Sequence, residues 1–302
     1  MIVCRTIADI RRRLNEVRSA NWRERGEPIT VGLVPTMGYL HDGHASLLKR
    51  AREECDIVVL SIFVNPIQFG PNEDFDRYPR DEERDLRIAE ANGVDFVLLP
   101  SVEEMYPAPA RHSLTIVRVS GVSESLCGAS RPGHFDGVAT VVSKLFHIVS
   151  PERAYFGMKD AQQVAVIRQM VRDLNFPVEI VACPTLREPD GLALSSRNVY
   201  LNPEERAQAV VLSQALSRID GWLAEGVGAF ELRNRLADEI RRAPLADIDY
   251  VEVRRYPTLE PADDELAEGE YIAALAVRFG RTRLIDNRVF HVRKGEPACS
   301  AP

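Results

Sequence analysis

The sequence predicts an α/β protein: a Rossmann-like doubly wound parallel sheet of the nucleotidyltransferase type, followed by a smaller C-terminal α/β domain. Three observations lead there. Residues 57–64 (IVVLSIFV) are a continuous apolar, β-branched run, the pattern of a strand covered on both faces of a parallel sheet. Strand-like and helix-like segments alternate from residue 29 to residue 183. After residue 184 the alternation gives way to a loop-rich stretch, two helical segments and three strand-like runs.

Taken in order, residues 7–25 read as an Arg- and Glu-rich helix and residues 29–35 (ITVGLVP) as a buried strand. The turn TMGYLHDGH leads into ASLLKRAREECD, where Leu47, Leu48 and Ala51 share one helical face. With residues 57–64 this completes a βαβ unit, whose crossover should be right-handed. A helix over 80–92 stops at Gly93, and 94–100 (VDFVLLP) is a strand. Residues 112–120 (HSLTIVRVS) alternate like a strand, and 136–149 form an apolar helix halted before Pro151. A short strand at 153–157, a helix at 161–174 and a strand at 177–183 follow. Pro184, Pro189 and Gly191 break up the next stretch. Helices are expected at 203–225 and 229–242, and strands at 249–256, 271–279 and 282–290. The 302 residues are enough for two domains, expected at 1–185 and 186–302.

Composition narrows the function. Hydrophobic residues make up 45% and charged residues 27%, the balance of a soluble globular chain. A spanning helix needs about 20 apolar residues and none is present, so no membrane partner is expected. The first residues lack the order of a signal peptide, and a cytoplasmic location is the expectation. A net charge of −7 argues against a nucleic-acid partner. Cys4, Cys55, Cys127, Cys183 and Cys299 are scattered without metal-ligand spacing and read as reduced packing residues. The chain has no Walker P-loop, no G-x-G-x-x-G after a strand, no G-x-S-x-G and no H-E-x-x-H.

Four stretches carry chemistry instead. The turn Met37-Gly38-Tyr39-Leu40-His41-Asp42-Gly43-His44 follows the first strand of the βαβ unit and opens a helix. Ligands of such sheets bind at the carboxyl ends of strands, where a helix N-terminus favours anions. Two imidazoles there are suitable hydrogen-bond donors to a triphosphate; the plainer reading is a helix cap with two solvated histidines. Gly157-Met158-Lys159-Asp160, with Gln162 and Gln163, opens a second helix, and Lys159 is a movable charge suited to phosphate. Its plainer reading is a capped helix with surface amides. Leu194-Ser195-Ser196-Arg197-Asn198 offers two hydroxyls and a guanidinium for phosphate oxygens, in a loop that could close over a site. Asn65 and Gln68, in NPIQFG after the second strand of the unit, offer amides to a hydroxy acid or form a simple turn.

With these stretches in their order and spacing, the chain resembles the pantoate–β-alanine ligase (pantothenate synthetase) family over nearly its whole length. The resemblance is carried by PTMGYLHDGHASLL, SIFVNPIQFGPNEDFDRYPR, RPGHFDGVATVVSKLFHIVSP, AYFGMKDAQQVAVIRQMVRDL and LREPDGLALSSRNVYL. It implies ATP-dependent condensation of pantoate with β-alanine through a pantoyl adenylate, with release of pyrophosphate and then AMP. It also implies ATP contacts from Met37, Gly38, Tyr39, Leu40, His41, Asp42, Gly43 and His44, with His44, His41 and Lys159 catalytic. Further ATP contacts would come from Gly157, Met158, Lys159, Asp160, Leu186, Leu194, Ser195, Ser196 and Arg197. Gln68, Gln163 and Asn65 would hold substrate, Mg²⁺ would bridge the phosphates with Asp85 near it, and the enzyme would be a homodimer. Departures from the family pattern are Met158, where Glu or Gln is frequent, and Leu194, where Met is common. His134 lies in a matching stretch but reads as structural, at the start of an apolar helix. The alternative kept open is another nucleotidylyltransferase of the same superfamily, which would leave AMP on its product. A tRNA synthetase fits less well, because the chain is short and acidic.

Overall fold

The computed structural model describes residues 1–71, 73–107 and 115–293. The chain divides into two compact units, both discontinuous in sequence. The first comprises Met1–Val119, Arg131–Met158 and Val166–Pro184, and the second Ser120–Ser130, Lys159–Ala165 and the residues from Thr185 on.

The first unit is built on six strands: β1 (Ile2–Cys4), β2 (Val31–Thr36), β3 (Ile57–Ile62), β4 (Phe96–Leu98), β5 (Arg153–Gly157) and β6 (Glu179–Cys183). They pair in the order β1-β4-β3-β2-β5-β6, and every pairing is parallel. Its helices are α1 (Ile7–Arg25), α2 (Asp42–Glu54), α3 (Glu82–Ala91) and the short α4 (Val102–Met105). The short α5 (Cys127–Ser130) comes next in the chain, before α6 (His134–Val149) and α7 (Ala161–Asp173). The order reverses direction between β2 and β5. Ligands of doubly wound sheets bind at such a switch point, outside the carboxyl ends of the strands.

The elements follow from local chemistry. Thr6 caps α1 by accepting from the Asp9 amide, and Gly26 ends it in the left-handed conformation. The apolar run of β3 is buried from Val58 to Ile62, as a central parallel strand requires. Leu47, Leu48 and Ala51 of α2 pack on Val34, Val58 and Leu60 in a core that also takes in Leu40 and Tyr155. α6 is apolar nearly all round because almost all of it is buried.

The second unit carries α8 (Pro203–Ala209), α9 (Val211–Ser217), α10 (Ile219–Ala224) and α11 (Ala229–Ile240). A three-stranded antiparallel sheet follows, of β7 (Ala246–Arg255), β8 (Gly269–Phe279) and β9 (Thr282–Val292), with β8 central. Leu212, Leu216, Leu232 and Leu236 meet Tyr271, Leu275 and Phe290 in its core.

Two expectations are corrected. The strand expected at 112–120 begins outside the described residues, and residues 115–120 form no strand. Their polar groups turn to α6 instead: Val117 N donates to Thr140 Oγ1 at 3.0 Å, and Arg118 pairs with Asp136. The single helix expected at 203–225 is three. Val210 and Arg218 at the breaks keep right-handed helical dihedrals, so the interruptions are local changes of hydrogen bonding. β1, α4 and α5 are too short to leave a periodic signal. Among the described residues the four cysteines are unpaired and buried, and Cys299 lies outside them. Also among the described residues, no helix is long and apolar enough to cross a membrane.

Candidate active site

The carboxyl end of β2 delivers the histidine turn. Thr36 Oγ1 donates to the Ser61 carbonyl at 2.8 Å and accepts from Gly38 N at 3.2 Å, tying the turn to β3. Gly38 sits at φ +81, and a Cβ there would lie 2.9 Å from Asp85 Oδ2 and 3.0 Å from Ile62 Cγ2, so only glycine fits without displacement. Tyr39 is also left-handed, at φ 50. Asp85 of α3 stabilises this shape, its carboxylate accepting from Tyr39 N at 2.8 Å and Leu40 N at 2.6 Å. On the same helix the Arg84 guanidinium stands 4.9 Å over the Tyr39 ring.

His41 and His44 then close a capping box on α2. His41 Nδ1 accepts from Gly43 N at 3.1 Å, and His44 Nδ1 accepts from His41 N at 3.3 Å. The two rings lie 4.1 Å apart, centroid to centroid. A nitrogen that accepts a backbone N–H carries no proton of its own. Both rings are therefore held as the tautomer protonated on Nε2, and a second proton on either Nδ1 would break the cap. The cap that the sequence offered as the plainer reading is thus real. It also orients two Nε2–H donors at a helix N-terminus whose dipole favours an anion.

Asp85 is placed differently from a carboxylate open to a metal. It is 2% exposed, and both oxygens take backbone amides. Among the described residues no group of three or more His, Cys, Asp or Glu is placed to hold a metal ion.

The stretch after β3 folds as a 3-10 turn over Pro66–Gln68, with Asn65 at its head. Asn65 is 1% exposed; its Nδ2 donates to Gln68 Oε1 at 3.0 Å and to the Gly137 carbonyl of α6 at 3.1 Å. Gln68 Nε2 lies 3.0 Å from Met37 Sδ, which joins this turn to the histidine turn. His134 at the start of α6 contacts the Gln68 carbonyl through Nδ1 at 2.8 Å and Arg131 through Nε2 at 3.0 Å. A guanidinium only donates, so Nε2 accepts and Nδ1–H donates to Gln68 O. His134 supports the Gln68 backbone through this bond. Arg131 is held in turn by both oxygens of Glu73 at 2.6 Å. Tyr106 donates to Asn65 Oδ1 at 2.8 Å. Sequence reasoning missed Tyr106, because a lone tyrosine after a four-residue helix carries no local signal.

β5 ends at Gly157, and Met158–Asp160 form a single 3-10 turn before α7. In the second unit, Lys159 Nζ stands 3.4 Å from Asp160 Oδ2, and the Lys159 side chain keeps 21% of its exposure. Gln162 is buried, and its amide serves the loop of residues 122–127: it donates to Val122 O and Ser125 O and accepts from Cys127 N. Its neighbour Gln163 is half-buried. The serine loop is also built inside this unit. Leu194 N donates to Leu186 O at 3.0 Å, Ser195 caps the 3-10 turn Ser196–Tyr200 by accepting from Arg197 N, and Asn198 Nδ2 donates to Ala193 O at 3.1 Å. Glu188 and Asp190 both pair with Arg206 of α8, fixing the base of the loop.

The sequence matches the Pantoate-beta-alanine ligase family over residues 2–289. The chain belongs to that family. It is 54% identical over 290 residues to the pantothenate synthetase of Desulfitobacterium hafniense (strain Y51), covering 96% of this chain and 99% of the relative. It is 57% identical over 288 residues to that of Geobacillus sp. (strain WCH70), covering 95% and 98%. The crystal structure of pantothenate synthetase from Thermus thermophilus superposes with a TM-score of 0.84 at 49% identity, covering 95% of this chain and 98% of that one. The pantoate-beta-alanine ligase of Francisella tularensis, solved with beta-gamma ATP and beta-alanine, superposes at 0.75 with 35% identity, covering 95% and 97%. This family member is thus an ATP-dependent ligase of pantothenate biosynthesis that joins pantoate to β-alanine. The six-stranded parallel sheet with its small antiparallel partner sheet is the architecture of these enzymes.

Proposed function

We propose that the ligase works by adenylation, with the histidine turn as the triphosphate-binding element. One observation carries this reading: two imidazoles with both Nδ1 atoms occupied by backbone amides, and so both protonated on Nε2, at the head of α2. The pantoate carboxylate attacks the α-phosphorus of ATP, and pyrophosphate leaves. The β-alanine amine then attacks the acyl carbon, and AMP leaves. Donors at His41 and His44 and the Lys159 ammonium offset the charge that collects on the phosphate oxygens as pyrophosphate departs. ATP binding falls to residues 37–44, 157–160, 186 and 194–197, as the family resemblance implies. Gln68 and Gln163 hold pantoate, with Asn65 beside that site. Donors at a helix N-terminus suit this task because the dipole there also favours the anion.

In this reading residues 1–185 bind ATP and pantoate, and residues 186–302 contribute the Ser-Ser-Arg loop. A Mg²⁺ ion held by ATP itself would supply positive charge against the phosphate oxygens. The enzyme acts in the cytoplasm as a homodimer. The test is a coupled assay with ATP, Mg²⁺ and pantoate, with and without β-alanine, on the wild type, His44→Ala and Lys159→Ala. AMP and pantothenate should form only with β-alanine, and kcat should fall by about 10²-fold or more in both variants. Variants that keep wild-type turnover would remove the histidine turn and Lys159 from the phosphate site.

A further inference from the structure

We propose that Tyr106 is a positioning residue for the ligase reaction: by donating to Asn65 Oδ1 it holds in place an amide relay whose polarity the Gly137 carbonyl sets, so that Gln68 presents only its NH₂ group to substrate. The inference rests on the proposed role of Gln68 in holding pantoate.

An amide side chain has nearly the same shape with its oxygen and nitrogen exchanged, so a chain of buried amides can run in either of two polarities. Here one group decides. The Gly137 backbone carbonyl can only accept, and it lies 3.1 Å from the Asn65 amide, so the atom facing it is Nδ2. Asn65 Oδ1 then faces the Tyr106 hydroxyl at 2.8 Å, and the phenol must donate. The same Asn65 Nδ2 lies 3.0 Å from the Gln68 amide, whose near atom must therefore be Oε1. What remains of Gln68 is Nε2, 3.0 Å from Met37 Sδ. A thioether is a poor acceptor, and a substrate oxygen would displace it.

The surroundings keep this order. Tyr106 is 5% exposed and Asn65 1%, so water does not compete for either group. The Lys144 ammonium stands 5.3 Å from the centre of the Tyr106 ring and steadies it. Gly137 lets the helix backbone come close: a Cβ there would lie 2.5 Å from Ile67 O and 2.6 Å from Gln68 Cα. His134 Nδ1–H holds the Gln68 carbonyl from the other side at 2.8 Å.

The chemical consequence is a choice of ligand. Gln68 offers a donor, so the group it reads is an acceptor such as a carboxylate or hydroxyl oxygen. An ammonium or amide NH₂ in that place would meet another donor, leaving a buried polar group unpaired. The site thereby favours a hydroxy acid over the corresponding amino acid. Without the Tyr106 hydroxyl, Asn65 Oδ1 is left buried with no donor, the orientation that the Gly137 carbonyl favours loses this support, and Gln68 is held less firmly.

The experiment is initial-rate kinetics on Tyr106→Phe, Gln68→Ala and the double variant, with pantoate, ATP and β-alanine each varied in turn. Tyr106→Phe should raise KM for pantoate about tenfold and leave KM for ATP and β-alanine within about twofold. In the Gln68→Ala background, Tyr106→Phe should add nothing further to KM for pantoate. An unchanged KM for pantoate in Tyr106→Phe, with a raised one in Gln68→Ala, overturns the relay and leaves the pantoate assignment standing. A joint rise of all three KM values, or additive effects in the double variant, reduces Tyr106 to a packing residue. No effect of Gln68→Ala on pantoate removes the assignment and the relay together. Should Tyr106→Phe not give folded protein, Asn65→Asp reads the same link, because a carboxylate cannot donate to Gly137 O or Gln68 Oε1. A wild-type KM for pantoate in that variant also overturns the proposal.

Discussion

Asn287 Nδ2 donates to the Lys159 backbone carbonyl at 2.9 Å. The residue before it, Asp286, is 2% exposed and holds Arg187 through both oxygens at 2.7 and 2.9 Å. One point on β9 therefore anchors two segments far apart in sequence, the turn at Lys159 and the Arg187 segment that leads to the serine loop. Asn287→Ala frees the Lys159 carbonyl without touching its ammonium. KM for ATP should rise roughly three- to tenfold, with a smaller change in KM for pantoate. Equal shifts for both substrates would point to a general loosening of the unit instead.

Asp85→Asn tests the clamp on the histidine turn. The amide keeps one acceptor but sets an NH₂ against a backbone N–H, so about 1.5–3 kcal/mol of stability should be lost near neutral pH, and KM for ATP should rise. The pH dependence has a definite sign. Burial pushes the Asp85 carboxyl above its ordinary value of 3.8, and the Leu40 and Tyr39 amides offset this only in part. A raised value means that the folded protein holds the proton more tightly than the unfolded chain. The associated stability is complete below the unfolded value and is lost as pH rises through the folded one. Urea titrations from about pH 4 to pH 7 should show the advantage of the wild type over Asp85→Asn shrinking as pH rises. An advantage that grows with pH contradicts the assignment.

Glu73 and Arg131 give the opposite sign. Burial alone would raise the Glu73 carboxyl, but the hydrogen bonds and charge of Arg131 hold it below its ordinary value of 4.5. A depressed value contributes stability that is present above the unfolded pKa and lost as pH falls through the folded one. Glu73→Gln should therefore be most destabilising at neutral pH and nearly neutral below about pH 3. Thermal melts at the two pH values give the comparison. Arg131 also contacts His134, so the same variant should raise KM for pantoate.

Gly137→Ala adds one methyl group where the backbone of the Pro66–Gln68 turn already sits. With contacts of 2.5–2.7 Å to Ile67 O, Gln68 Cα and Gln68 N, the turn must move. A loss of about 1–3 kcal/mol in unfolding free energy is expected, together with a higher KM for pantoate. Gly157→Ala is the matched control, since a Cβ there meets nothing within 4 Å. Its stability should change by less than about 0.5 kcal/mol.

Much of the fold was legible in the chain because its signals are local. The helix at 7–25 and the strand at 153–157 were expected with the bounds they have, since apolar periodicity, caps and breakers act within a few residues. The alternating segment at 112–120 misled for the same reason. Alternation reports residue type alone, and over residues 115–120 the Val117 amide donates to Thr140 of α6 where a strand would have paired with a neighbour. The family was legible as motif stretches, but the partners of the Gln162 amide were not. Its amide looks the same in sequence whether it faces a ligand or, as here, the loop at 122–127.

By itself the sequence determined the parallel α/β class, most of the elements in their order, and the family. Each of these depends on residue type and short spacing. Only the tertiary structure decided which nitrogen of His41 and His44 holds the proton, which way the Gln68 amide points, and that Asp85 grips a backbone turn. Those outcomes are hydrogen-bond polarities. Each is set by a donor or acceptor that folding brings alongside: Gly43 N for His41, Tyr39 and Leu40 for Asp85, and Gly137 and Tyr106 for Asn65. Apart from the neighbouring Gly43, these partners lie far away in sequence, and no local pattern encodes them.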